Sequence, residues 1–221
     1  MRERAEAVGE NYDRQMMLEA RARTRQVIQR IAALIKPGML EETALEHARQ
    51  VLKEAGMVRG WHGLHIRFGI NTLKQFGKPS EPGVALQKND IYFIDIGPVW
   101  EKWEGDGGET FVVGNDPDMH RAVRDVREVF DCVRARWLAE RVSGQELYRF
   151  AEAEAQRLGW ELNLEMSGHR LADFPHAALH KGALADAAFS PSSGLWVLEI
   201  QIRHPVRPFS AFFEDLLLER P

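Results

Sequence analysis

Residues 91–114 read IYFIDIGPVWEKWEGDGGETFVVG. Two apolar runs flank a turn-rich middle, which predicts a β-hairpin, and each run carries an aspartate, Asp95 and Asp106. Ten residues lie between them, an even number, so a hairpin centred on Trp100-Glu101 sets both side chains opposite each other on one face. Directly opposed Cβ atoms are about 4.5–5.5 Å apart. Bare carboxylates that close repel, and burial makes both charges more costly. Either they share a proton or a cation lies between them.

Further ligand-type residues follow downstream. WVLEIQI places Glu199 inside an apolar strand and AFFEDLLL does the same for Glu214; fourteen residues separate them, so they too can face each other across a strand pair. Between the two carboxylate pairs lies SGHRLADFPHAALH, with His169, His176 and His180. One imidazole with four carboxylates is an oxygen-rich set, suited to Mn, Fe, Co or Zn at a two-metal site and unlike a thiolate zinc site. Gly105, Gly107 and Gly108 are not a phosphate loop, because no Gly-Lys-Ser/Thr follows. They let the backbone bend close to the ligand.

Around these motifs the chain reads as α+β. Helices are predicted at about 12–35, 41–55, 118–141 and 145–158. Pro37-Gly38, Gly56, Ser143-Gly144 and Gly159 act as breaks, and Asn115-Asp116-Pro117 caps the third helix. Residues 60–69 read as strand and turn, 74–82 as a loop, and 195–202 and 209–218 as closing strands. KPGMLEETALEHARQVLKEAGM (36–57) and ERVSGQELYRFAEAEAQRLGW (140–160) share a break, a Glu-rich helix start, Ala-rich turns and a terminal Gly. Each half therefore reads helix, helix, strands, an internal duplication within one domain spanning 1–221, with residues 1–11 a flexible lead-in.

The chain of 221 residues is 44% apolar and 28% charged, near the globular average. Its 29 Lys plus Arg against 33 Asp plus Glu give a formal charge of -4, which offers nothing to a phosphate backbone, so nucleic acid is not the expected partner. The basic stretch RARTRQVIQR (21–30) reads as a solvated helix face. Cys132, the single cysteine, reads as a small core residue and suits a reducing compartment. With no signal-type apolar region and no membrane-length run, the expectation is a soluble cytoplasmic protein with no membrane partner.

These residues resemble the family of methionine aminopeptidases, aminopeptidase P, prolidase and creatinase, whose fold is called pita-bread. The family pattern D-x-G, an aromatic, D-x-x-x-T-F and a glycine is matched by Asp95-Ile96-Gly97, Trp103, Asp106, Thr110-Phe111 and Gly114. Gly168-His169 and His176 match its two histidines, and Glu199 and Glu214 its last two acids. The resemblance runs from about Tyr12 onward and implies a pita-bread fold with an antiparallel curved sheet. It also implies two divalent ions (Mn, Co, Fe or Zn), with Asp95 on one, Asp106 and Glu214 bridging, and His169 and Glu199 completing the second. Glu199 would act as general base and then acid, and His176 would hydrogen-bond the scissile carbonyl. The implied substrate is a short peptide or peptide-like amide, and a homodimer is consistent with the family.

The chain departs from the family on the substrate side. No His follows Asn71 in TLKQFGKP, so His65 or His62 upstream is a candidate substitute for a substrate-side imidazole, beside a packing or turn role. Phe212 stands where an Arg is common, Glu165 where aminopeptidase P has a His, His-Arg-Leu-Ala replaces His-Gly-Ile-Gly, and Ala177 follows His176. The expectation is a catalytic domain alone, without the large upstream domain of prolidase and aminopeptidase P. Trp103, with Trp100, is a further candidate for lining the substrate pocket or for plain packing. His180 and Lys181 read as surface loop. Three functions follow: a metal-dependent aminopeptidase or Xaa-Pro dipeptidase, a repurposed creatinase-like enzyme acting on a small non-peptide molecule, and a non-catalytic binding module.

Overall fold

In the computed structural model, which describes residues 2–75, 77–173 and 180–219, helix pairs alternate with strands. The elements are α1 (Arg2–Ala5), α2 (Arg14–Ala32), α3 (Glu41–Glu54), β1 (Arg59–Gly60), β2 (His65–Phe68), β3 (Asp90–Ile96), β4 (Pro98–Trp100), β5 (Trp103–Glu104) and β6 (Gly107–Val113). There follow α4 (Pro117–Glu140), α5 (Gly144–Arg157), β7 (Glu161–Leu162), β8 (His169–Arg170), β9 (Trp196–Arg203) and β10 (Ser210–Leu216). Every strand pair is antiparallel. A seven-stranded sheet runs β2-β3-β6-β10-β9-β7, with β8 also on β9, and a three-stranded sheet runs β1-β4-β5. The two halves therefore meet at the β6–β10 pair in the middle of the large sheet.

The helix ends follow local chemistry. Asp13 accepts from the N–H groups of Gln15 and Met16 to start α2, Asp116 caps α4 with Pro at its first turn, and Ser143 with Glu146 forms a capping box on α5. The helices lie against one face of the sheet. Tyr92, Ile94 and Ile96 pack with the buried residues of α2 and α3, and Leu198, Ile200, Ile202, Ala211 and Phe213 with those of α4 and α5. The alternate positions, Phe93, Asp95, Val197, Glu199, Gln201, Phe212, Glu214 and Leu216, project to the other face. Both faces are covered, which is why β3 and β10 are buried along their whole length.

The register differs from the sequence expectation by two residues. Asp95 pairs with Gly108, and Trp100 with Trp103, so the hairpin tip is Glu101-Lys102. The reason is burial: Trp100 is 3% exposed and its indole N–H donates to Thr24 Oγ1 at 2.9 Å, so it belongs to the strand. Both tip residues are exposed, and Glu101 takes the left-handed φ of 57°. An even shift keeps Asp95 and Asp106 on one face, now as diagonal neighbours and not directly opposed.

Two other expectations change. Arg21 and Arg25 are not simply solvated: Arg21 forms a two-pronged ion pair with Asp215, 2.7 Å on each arm, and Arg25 reaches the same carboxylate at 3.4 Å, tying α2 of the first half to β10 of the second. Cys132 is half-buried on α4 and does not sit within the core. The lead-in of residues 1–11, for which flexibility is the expectation, makes specific contacts from Ala5 onward. Arg170, fully buried, donates to the carbonyls of Ala5 (2.8 Å), Ala7 and Leu171 (3.0 Å). Asp173 accepts from the N–H groups of Gly9 (2.9 Å) and Asn11 (3.2 Å), and Glu6 accepts from the Trp196 indole at 2.9 Å.

Candidate metal centre

Four neighbouring strands deliver one row of side chains. Asp95 on β3 pairs with Gly108 on β6, Gly108 with Glu214 on β10, and Glu214 with Glu199 on β9. His65 on β2 extends the row beyond Asp95. Asp106 lies two residues from Gly108 along the chain, and His169 enters from β8, beside Val197 of β9. Three carboxylates and a fourth on the diagonal thus share one face. Gly108 is the gap between them: a Cβ there would lie 2.2 Å from Phe212 Cε1 and 3.0 Å from Glu214 Oε1.

Three of the carboxylates are nearly closed to water, while His169 and Glu199 keep a partly exposed edge. Asp95, Asp106 and Glu214 are 4%, 2% and 1% exposed. His169 Nε2 lies 2.8 Å from Asp106 Oδ2 and 3.8 Å from Glu199 Oε1. His62 Nε2 lies 3.2 Å from Asp106 Oδ1 and 3.5 Å from Asp95 Oδ1. Glu199 is held at both ends. Its second carboxylate oxygen accepts from the Gly168 N–H at 2.8 Å, and the Tyr148 hydroxyl of α5 bonds its backbone N–H and C=O. Thr110 stitches the central seam, its hydroxyl bonding both N–H and C=O of Phe212 at 2.7 Å.

The protonation equilibria report a shortage of positive charge. Burial, with Asp106 and Glu199 nearby, raises Asp95 to about 7 despite His62. Burial and the carboxylates of Asp106, Asp95 and Glu199 push Glu214 well above its ordinary value. Asp106 falls to about 2, because the two imidazoles outweigh its burial. Burial would lower both histidines, yet the surrounding carboxylates lift His62 to about 9 and His169 to about 10. His65, with burial, Arg67 and His62 acting the same way, drops to about 4.

The donor set fits divalent cations. Asp106 Oδ2 and Glu214 Oε1 are buried and accept no hydrogen bond of normal geometry. Ligand atoms of Asp106, His169 and Glu214 lie within 4.8 Å of one another, as do those of His62, His65 and Asp95. Beside the cluster opens a cavity of about 360 Å³, lined by Trp61, His62, Asp95, Glu165, Lys181 and Glu199 among others.

All five residues read from the sequence as metal ligands are therefore brought together. His176 lies outside the described residues. His65 stands next to Asp95, its ring parallel to that of His62 at 6.2 Å. Trp103 turns elsewhere: it does not line the cavity, its indole N–H donates to the Asn11 carbonyl at 3.0 Å, and it packs beside Met17 and Leu171. Sequence reasoning undervalued Trp61, His62 and Lys181. The available signal was that Trp61-His62 leads into the strand paired with that of Asp95.

Residues 15–214 match the model of metallopeptidase family M24, and the chain belongs to that family. It is 24% identical to methionine aminopeptidase A of Synechocystis sp. over 159 residues, covering 69% of this chain and 62% of that protein. It is 33% identical to methionine aminopeptidase 1 of Mycobacterium tuberculosis over 100 residues, 43% of this chain and 37% of that one. The chain thus matches less than two thirds of either relative's length. Among solved structures, the prolidase of Pyrococcus horikoshii OT3 superposes with a TM-score of 0.78 at 16% identity, over 98% of this chain and 62% of that one. A methionine aminopeptidase of Thermotoga maritima gives 0.69 at 15% identity, over 90% of each chain. The fold is the pita-bread fold. No helix among the described residues is long and apolar enough to cross a membrane.

Proposed function

We propose that this chain is a two-metal hydrolase that cleaves short peptides or peptide-like amides from one end. The observation that carries it is the shared face of Asp95, Asp106, Glu199, Glu214 and His169, with a buried Glu214 oxygen that accepts no hydrogen bond and Asp106 matched only by imidazole. Asp95, Asp106, His169, Glu199 and Glu214 would together hold the two ions; Mn, Co, Fe or Zn suits this oxygen-rich set. Such ions supply charge neutralisation and a water acidic enough to ionise near neutral pH. Glu199 would take the proton of the attacking water, a role supported by the Gly168 N–H and Tyr148, which fix its carboxylate and backbone beside the cavity. From there the proton passes to the leaving amine. His169 keeps its orientation through Nδ1, 3.0 Å from the Arg170 carbonyl. By resemblance, His176 bonds the carbonyl under attack.

The cavity of about 360 Å³ is of dipeptide scale and carries both an acid, Glu165, and a base, Lys181. Phe212, where relatives commonly have Arg, is fully buried against Phe93 and Met166, so no guanidinium reaches the substrate from that strand. That feature supports a second reading, a creatinase-like enzyme for a small non-peptide molecule. A panel of Met-X, X-Pro and other dipeptides with Mn²⁺ or Co²⁺ tests the first. Turnover is expected for at least one class and is lost in Asp106→Ala. Activity unchanged in that variant refutes the assignment, and a metal-loaded chain inert on every peptide favours the second reading.

A further inference from the structure

The two imidazoles at the site are placed alike. His169 Nε2 faces one oxygen of Asp106 at 2.8 Å, with Glu199 Oε1 at 3.8 Å. His62 Nε2 faces the other oxygen at 3.2 Å, with Asp95 Oδ1 at 3.5 Å. Each sets its Nδ1 against a main-chain carbonyl, Arg170 at 3.0 Å and Gly63 at 2.7 Å. A carbonyl only accepts, so Nδ1 carries the hydrogen, and in the neutral ring the Nε2 lone pair points at the carboxylates. A proton on Nε2 joins ring and carboxylate in the metal-free chain, and a divalent cation can take that proton's place between them. His62 and His169 belong to different halves of the duplicated chain, so the pairing follows the symmetry of the sheet.

The fold also makes room for His62. A Cβ on Gly97 would lie 2.0 Å from its Cδ2 and 2.3 Å from its Nε2. Only a residue without a side chain lets the ring cross β3's end to reach the acids. The His62 side chain is 6% exposed, which no surface loop position requires.

We propose that His62 is a direct metal ligand through Nε2, giving a six-residue centre with one imidazole, one terminal carboxylate and a share of both bridging carboxylates on each ion. The inference rests on the two-metal reading above. Its chemical consequence is nitrogen on both ions, which favours zinc or cobalt over manganese more than a single imidazole does.

The test uses the full chain, stripped with a chelator and reloaded with two equivalents of Zn²⁺. X-ray absorption at the zinc edge is expected to find at least one imidazole per zinc on average, falling by one half per zinc in His62→Ala and in His62→Gln. Equilibrium dialysis should show one of the two sites weakened at least ~10-fold in Zn²⁺ affinity, since even residues behind a ligand cost about that much. A wild-type count near one half, or a count unchanged in whichever variant folds, overturns the proposal. A chain that takes up no zinc at all refutes the two-metal reading itself, whereas uptake of two ions with His62 silent refutes only this inference.

Discussion

Glu214 is 1% exposed, stands opposite Glu199 and keeps one oxygen without a donor. In the role proposed for it, Glu214 would trade stability of the metal-free chain for metal affinity. Glu214→Gln keeps the shape and removes the charge. In chelator-treated protein at pH 8, its melting temperature should equal or exceed that of the wild type. The metal response should move the other way. Binding at 100 times Kd stabilises by about 2.7 kcal/mol per site, and about 1 kcal/mol shifts the midpoint by roughly 2–4 °C at this length. Saturating Zn²⁺ is thus expected to raise the wild-type midpoint by ~5–10 °C per site, and Glu214→Gln to lose much of that rise. A variant that melts lower without metal yet keeps the full rise would show Glu214 to be structural. At this scale the sequence was informative, because an acid inside an apolar strand has few explanations. His62 was harder to read: its role depends on the missing Cβ of Gly97, thirty-five residues away, and spacing does not report that.

Among the elements, α4 offers a titratable cap. Asp116 accepts from the N–H groups of Asp118 and Met119 and pairs with Arg207 at 2.6 Å. The Arg207 bond, then the helix N–H groups, hold its carboxyl down at about 2. Because the folded value lies below the unfolded one, the stabilisation is present above about pH 4 and is lost as pH falls towards 2. Asp116→Ala is expected to cost about 1 kcal/mol at pH 7, a modest figure since the ion pair is partly solvated. Urea denaturation should show the gap between variant and wild type closing between pH 4 and 2; a gap constant across that range would remove the charge from the account. Helix boundaries were legible to within a few residues because caps and breakers are local signals. The hairpin register was not, since placing Trp100 in the strand depends on Thr24 of a distant helix.

For the molecule as a whole, the N-terminal segment is part of the packing around β8. Arg170 is fully buried and two of its carbonyl partners come from Ala5 and Ala7. Removing residues 1–11 strands that guanidinium, at a cost of about 2 kcal/mol or more, and should lower the midpoint by several degrees. Arg170→Met should recover part of the loss in the shortened chain, because an apolar group of similar length needs no acceptor. If shortening leaves the midpoint unchanged, the contacts carry no stability. Nothing in the sequence marked residues 5–11, whose partners Arg170, Asp173 and Trp196 lie more than 160 positions away.

The seam between the halves has a consequence for unfolding. β6 and β10 share two paired positions, reinforced by Thr110, and the other ties across it include Gln201 to the Thr72 carbonyl and Arg21 to Asp215. His62, Asp95 and Asp106 come from one side of that seam, and His169, Glu199 and Glu214 from the other. An ion held by both groups would be a further cross-link between the two lobes. Emptied, the chain relies on these ties and the packing around them to keep the lobes unfolding in step; loaded, it must also release the ions.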